Sequence, residues 1–147
     1  FGDETPKYIT IKLDSDADKI FGLDKVDMKK KIYVVEGPID SLFLDNCIAV
    51  AGADFNNVQG DLTVIYDNEP RNKEIVKQIE KTINQGRSIV LWPDALKEKD
   101  INDMILSGYT KSEIQKIIED NTFEGVAAKL RFTGWKKINE RSVSKAI

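Results

Sequence analysis

Three groups of acidic residues carry the side chains in this sequence that could do chemistry. Glu36 closes the apolar run Ile32-Tyr-Val-Val35 and is followed by Gly37-Pro38. Asp67 and Glu69 follow a second run, Leu62-Thr-Val-Ile-Tyr66, and Asp100, Asn102 and Asp103 stand beyond a third, Ser88-Ile-Val-Leu-Trp92. Residues two apart in an extended segment point the same way, so Asp67 and Glu69 are expected to share one site. Carboxylates gathered within a few ångströms repel one another, and protons or a divalent cation must compensate them. Hard oxygen ligands without imidazole or thiolate favour Mg2+ or Mn2+ over zinc. The chemistry that suits such a site is metal-dependent reaction at a phosphate ester or nucleotide, with the ions stabilising attacking and leaving oxygens.

A plainer reading stands beside this one. Strands exit into water, so each acidic cluster taken alone is also what a solvated loop looks like. Glu36 is harder to dismiss, because a carboxylate held between a buried strand and a helix start is a costly place for an idle charge.

The composition narrows the choice. Histidine is absent, which excludes within this chain a Ser-His-Asp or Cys-His nucleophile and a His-ligated zinc centre. Cys47 is the single cysteine, so no internal disulfide or thiolate zinc site can form, and it reads as core filler. The longest apolar run, Cys47 to Ala53, is too short to span a bilayer, and no signal-peptide pattern opens the chain. The expectation is a soluble protein of the cytoplasm (the host's, if viral) with no membrane partner. Phe1 in place of methionine suggests a piece of something longer. The net charge of −3 does not suggest a self-sufficient nucleic-acid binder. From Lys129 onward, however, six basic residues stand against the single Glu140. That end is either an anionic-partner surface or a frayed, solvated terminus.

The elements that must position the acidic groups read as α/β, with a mostly parallel sheet flanked by helices. The 147 residues suffice for one domain with its own core, or one domain with an appendage. Ile32 to Val35 is a buried strand, and Pro38 suits the first turn of a short helix whose inner face would be Ile39, Leu42 and Phe43. Asn46 to Val50 and Leu62 to Tyr66 are further strands. Arg71 to Gln85 is a helix with the stripe Ile75, Ile79 and Ile83, stopped by Gly86. Ser88 to Trp92 is a fourth strand, and Asp100 opens a short helix with Asn102 and Asp103 in its first turn. Thr110-Lys-Ser-Glu113 has capping-box spacing, and Phe123 to Phe132 is a last amphipathic helix. At the start, Lys7 to Leu13 alternates as an edge strand or hairpin arm, and Lys19 to Asp24 packs an apolar pair. The turn Asp14-Ser-Asp-Ala-Asp18 mimics the opening of a calcium loop but lacks its glycine and late glutamate. If the strands are parallel and adjacent, Glu36, Asp67 and Glu69 converge in the crevice outside the strand ends, where open α/β sheets hold ligands.

At these residues the sequence resembles a known family. A strand followed by Glu36-Gly37, with Asp40 four residues on and Asp67-x-Glu69 ending a later strand, resembles the Toprim domain of topoisomerases, bacterial-type primases and some nucleases. Glu69 stands where the usual Asp-x-Asp has its last carboxylate, which keeps the charge and adds one methylene of reach. Tyr33-Val-Val-Glu-Gly-Pro-Ile-Asp-Ser-Leu-Phe43, Asp67-Asn-Glu-Pro-Arg71 and Lys99-Asp-Ile-Asn-Asp-Met-Ile105 are similar to the T4-type bacteriophage DNA primases. Thr5 to Tyr8 with Lys19 to Asp24 resembles the primase lead-in to the Toprim fold, and Phe123 to Ile138 resembles the primase end. The resemblance covers nearly the whole chain. It implies a lead-in from a preceding catalytic subdomain over residues 1–24, a Toprim domain over 25–108 and a C-terminal helical segment over 109–147.

The activity so implied is that of a primase catalytic core, joining ribonucleoside triphosphates into RNA primers on single-stranded DNA during replication, with a replicative helicase as partner. By the same resemblance Glu36 assists proton transfer or metal binding. Asp67 and Glu69 hold Mg2+ or Mn2+, and Asp100 with Asn102 completes the metal site. Asp40 is a supporting contact, Asp103 a second support or simply a helix cap, and Arg71 and Lys99 meet phosphates. The family's N-terminal zinc-binding domain and basic subdomain are missing, so this chain is expected to bind metal but make little or no primer alone. Three rivals remain. A Toprim nuclease would use the same carboxylates to cut a phosphodiester. A receiver-like signalling module would need a lysine where Trp92-Pro93-Asp94 stands. A non-catalytic domain could dock on a helicase or another replication protein.

Overall fold

The computed structural model describes residues 20–53, 55 and 58–146, with side chains described through Lys137. The expected strand at Lys7 to Leu13, the turn at Asp14 to Asp18 and the Thr5 to Tyr8 part of the lead-in lie outside the described residues. The fold is α/β, with a five-stranded, mostly parallel sheet flanked by helices. Contacts divide the chain into two compact units, one ending at Asp61 and one beginning at Leu62.

In the first unit, β1 (Lys31–Val35) pairs in parallel with β2 (Cys47–Ala49), Val34 lying opposite Ile48. Ile32, Tyr33, Val34 and Val35 are all buried, as a strand covered on both faces requires. Phe21 bridges the outer side of β2 through two backbone hydrogen bonds with Ala49, of 2.8 and 3.0 Å. Between the strands lies α1 (Pro38–Ser41), with Pro38 in its first turn as expected. Its burial differs from the sequence reading. Ile39 and Leu42 are exposed, at 57% and 63%, whereas Asp40 and Ser41 are buried. A single turn is too short to commit an apolar stripe, and the Ser41 hydroxyl is held by donating to the Pro38 carbonyl at 2.6 Å.

In the second unit, β3 (Asp61–Ile65) pairs in parallel with β4 (Ser88–Val90), joined by α2 (Lys73–Asn84). Asn72 caps α2, its Oδ1 accepting from the N–H groups of Glu74 and Ile75. The expected stripe is present: Ile79 and Ile83 are buried and Ile75 half-buried. Then come α3 (Ile101–Leu106) and α4 (Lys111–Asp120), the latter opened by the expected Thr110–Glu113 capping box. The last helix begins later and runs further than Phe123 to Phe132. Thr122 and Phe123 form β5, antiparallel to β4, and α5 spans Gly125–Ala146. A β-branched and an aromatic residue opposite Val90 and Ile89 gain more as an edge strand than as a helix start. Ile79 and Ile83 of α2, Ile89 of β4, the following Leu91, and Ala128, Phe132 and Trp135 of α5 form one core. At about 1.5–3 kcal/mol for each large side chain buried, this cluster holds α5 onto the sheet. Among the described residues no helix is long and apolar enough to cross a membrane.

Candidate metal centre

The end of β3 is anchored before it reaches its acidic residues. The Tyr66 hydroxyl donates to Thr82 Oγ1 at 2.7 Å, since that oxygen's own hydrogen goes to the Gln78 carbonyl. The Tyr66 carbonyl accepts from Trp92 Nε1 at 2.8 Å, which ties it to the chain leaving β4. The backbone leaving β3 is therefore gripped by α2 and by the neighbouring strand's exit.

Asn68 then brings a distant loop alongside. Its backbone N–H donates to the Lys99 carbonyl at 2.6 Å, and its side-chain amide donates to the carbonyls of Leu96 and Glu98 at 2.9 and 3.1 Å. With residue 68 beside residue 99, their neighbours Asp67 and Asp100 meet. Their carboxylate oxygens lie within 4.8 Å of each other, and both residues are half-buried. Asp100 is the N-cap of α3, its Oδ1 accepting from the Asp103 N–H at 2.8 Å. The cap fixes the direction of the carboxylate, and its other oxygen has no partner among the described residues. Two like charges at this separation repel by roughly 1–4 kcal/mol at an effective dielectric between that of water and about 20, a repulsion that a divalent cation would reverse. Carboxylate oxygens alone, without nitrogen or sulfur, suit a hard ion.

The remaining expected residues are placed as follows. Glu36 is exposed directly beyond β1, and its carbonyl accepts from the Ala51 N–H at 2.9 Å. Gly52, at φ 85°, takes a left-handed conformation there that favours glycine. Asp40 is buried in α1. Asp40 also acts on Cys47, whose thiol is pushed up to about 12, first by burial and then by this carboxylate. Cys47 is half-buried, as befits filler rather than a nucleophile. Glu69 does not continue an extended strand: its N–H donates to the Asp67 carbonyl at 2.9 Å, closing a tight turn. Beyond that turn Glu69 and Arg71 line a cleft of about 470 Å³. Asn102 and Asp103 occupy the first turn of α3, where Asp103 serves the cap, and Lys99 is exposed. Of the basic C-terminal residues, Lys129, Lys136 and Lys137 are exposed, whereas Arg131 is half-buried against Asp94 and the Trp92 carbonyl.

Sequence reasoning passed over Asn68, Tyr66 and Trp92, the residues that hold Asp67 in place. Only Asn68 carried a signal, as an amide set between two acids at a strand exit.

No family model matches the sequence. The chain is 37% identical over 147 residues to the DNA primase of Enterobacteria phage T4, an alignment covering 92% of this chain and 41% of that protein. It thus spans about two fifths of the relative's length. A chain from the structure of bacteriophage T7 lagging-strand DNA polymerase interacting with primase domains of two gp4 subunits, bound to an RNA/DNA hybrid and dTTP, superposes with a TM-score of 0.46. The match is at 18% identity and covers 66% of this chain and 56% of that one. By its sequence, this chain is homologous to part of the phage T4 DNA primase.

Proposed function

We propose that this chain is the metal-binding, Toprim part of a primase catalytic core, acting in metal-dependent nucleotidyl transfer. In the longer protein the reaction would join ribonucleoside triphosphates into RNA primers on single-stranded DNA, beside a replicative helicase. The carrying observation is the pairing of Asp67 with Asp100 across the Asn68 clamp, which supplies two oxygen-donor carboxylates in one place. Asp67 and Asp100 would together hold Mg2+ or Mn2+. Glu69 and Asn102 would assist, and Asp103 would keep Asp100 oriented.

When bound, the ion would supply charge neutralisation at the triphosphate and make the primer's 3′-hydroxyl a better nucleophile. The chain's own residues would do the rest. The 3′-oxygen would bond to the α-phosphorus as pyrophosphate leaves; by the family resemblance Glu36 would assist proton transfer or metal binding, and Arg71 and Lys99 would hold phosphate oxygens. The homology to a DNA primase supports this reading over a Toprim-type nuclease, a receiver-like module or a purely docking domain.

Calorimetric titration with Mn2+ tests it. Asp67→Asn and Asp100→Asn should each weaken binding at least tenfold while leaving the fold intact by circular dichroism. Mn2+ affinity equal to wild type in both variants would overturn the assignment. Primer synthesis is then measured with the same substitutions in a protein that also carries the family's zinc-binding and basic subdomains.

A further inference from the structure

The C-terminal helix reaches toward the acidic pair through one side chain. Ala128, Phe132 and Trp135 seat α5 on the core, and Arg131 lies among them on the same stripe. Lys129, Lys136 and Lys137 of α5 are exposed, whereas Arg131 is half-buried. Packing gives no reason for a cation there, since an apolar side chain would seat the helix without the cost of desolvating a guanidinium. What the guanidinium does is hold the chain leaving β4. It donates from Nη2 to the Trp92 carbonyl at 3.3 Å and stands 3.8 Å from Asp94 Oδ1, bracketing Pro93. The Asp94 side chain is 43% exposed, so that ion pair adds little stability of its own.

Both carboxylates of the metal pair hang from the segment that Arg131 grips. On one side the Trp92 indole donates to the Tyr66 carbonyl at 2.8 Å, one residue before Asp67. On the other, the Leu96 N–H donates to the Pro93 carbonyl at 3.1 Å, and Asn68 holds the Leu96 carbonyl at 2.9 Å in the loop that leads to Asp100. We infer that Arg131 is a positioning residue for the metal site: from α5 it fixes residues 92–94, and through them the spacing of Asp67 and Asp100. The seating of the C-terminal helix and the affinity for the ion are thereby coupled, and by linkage each strengthens the other. The inference rests on the metal-binding reading and adds a control on it from outside the acidic cluster.

Arg131→Met tests this by the sign of its effect. The variant keeps the apolar stem of the side chain and loses the charge and the hydrogen bond. Removing a positive charge, taken alone, should tighten binding of a cation, and a role confined to stability should leave affinity unchanged. Only loss of positioning weakens it. Calorimetric titration of the 147-residue chain with Mn2+ is run where circular dichroism shows each variant folded. Arg131→Met should bind about fivefold more weakly than wild type, and Arg131→Lys, which keeps the charge and a donor, should stand closer to wild type. Arg131→Gln repeats the measurement if the methionine variant does not fold. Trp92→Phe keeps a ring but removes the indole N–H, so it should weaken binding as well, and the double variant should lose less than the product of the two single losses. Affinity in Arg131→Met equal to or tighter than wild type overturns the inference, as do single losses that simply multiply in the double variant. Asp67→Asn is titrated alongside. A wild type that binds Mn2+ and an Asp67→Asn that does not uphold the metal reading, so an unchanged Arg131→Met then overturns this inference alone, whereas a wild type without Mn2+ affinity overturns both.

Discussion

Replacing Asn68 by alanine tests whether one side chain builds the acidic pair. The change removes two hydrogen bonds, to the Leu96 and Glu98 carbonyls, and leaves the backbone bond to Lys99 in place. At about 1 kcal/mol net per bond the loss is about 2 kcal/mol, rising where a carbonyl stays out of water. Loosening the 96–99 loop also frees Asp100 from Asp67, and losing such an outer support commonly costs a metal site tenfold or more. Asn68→Asp keeps the size of the side chain but turns a carboxylate toward two carbonyl oxygens, so it should destabilise at least as much. Urea denaturation followed by tryptophan fluorescence gives the first quantity, and Mn2+ titration gives the second. A loss of stability below about 0.5 kcal/mol together with unchanged Mn2+ affinity would show that the loop is held by something else.

Four further outcomes follow from other parts of the molecule. The Thr63 hydroxyl is fully buried in β3 with no hydrogen-bond partner among the described residues, so Thr63→Val should be neutral or stabilising by about 1 kcal/mol in the same denaturation assay. Thr110→Ala should cost about 1 kcal/mol through loss of the α4 cap. The Thr110 backbone N–H, and then its hydroxyl, hold the Glu113 carboxyl below the usual carboxylate range. That contribution is present above the ordinary carboxylate pKa and is lost as pH falls through the lowered one, so Glu113→Gln should flatten stability against pH in the acid range. Cys47 should resist a thiol reagent at pH 8 until the protein is unfolded, and because its folded pKa is raised to about 12, stability should fall as pH rises above the ordinary thiol value.

Much of the α/β pattern was legible in residue order. The unbroken apolar run at Ile32 to Val35, the Ile79 and Ile83 spacing and the Thr110-x-x-Glu113 box each rest on periodicity or on a local hydrogen bond, and the structure contains all three. Asp100 as a helix opener was legible for the same reason, because an N-cap is made within four residues. The inner face of α1 was not. Ile39 and Leu42 have helical spacing, yet Asp40 and Ser41 are the buried pair, because one turn takes its orientation from what surrounds it. Phe123 was misplaced for a related reason: a strand of two residues exists only because Val90 and Ile89 offer it partners.

The sequence by itself determined which chemistries are open. With no histidine and one cysteine, only carboxylates, amides, hydroxyls and cations remain, and the acids fall at strand exits and a helix cap. Tertiary structure alone decided which of those acids become neighbours. Asp67 and Glu69 are two residues apart, yet a tight turn sends Glu69 to the cleft, while Asn68 reaches about thirty residues along the chain to set Asp100 beside Asp67. Local spacing governs groups that share one helix or strand, whereas the residues beside Asn68 do not say that its partners lie at Leu96 and Glu98.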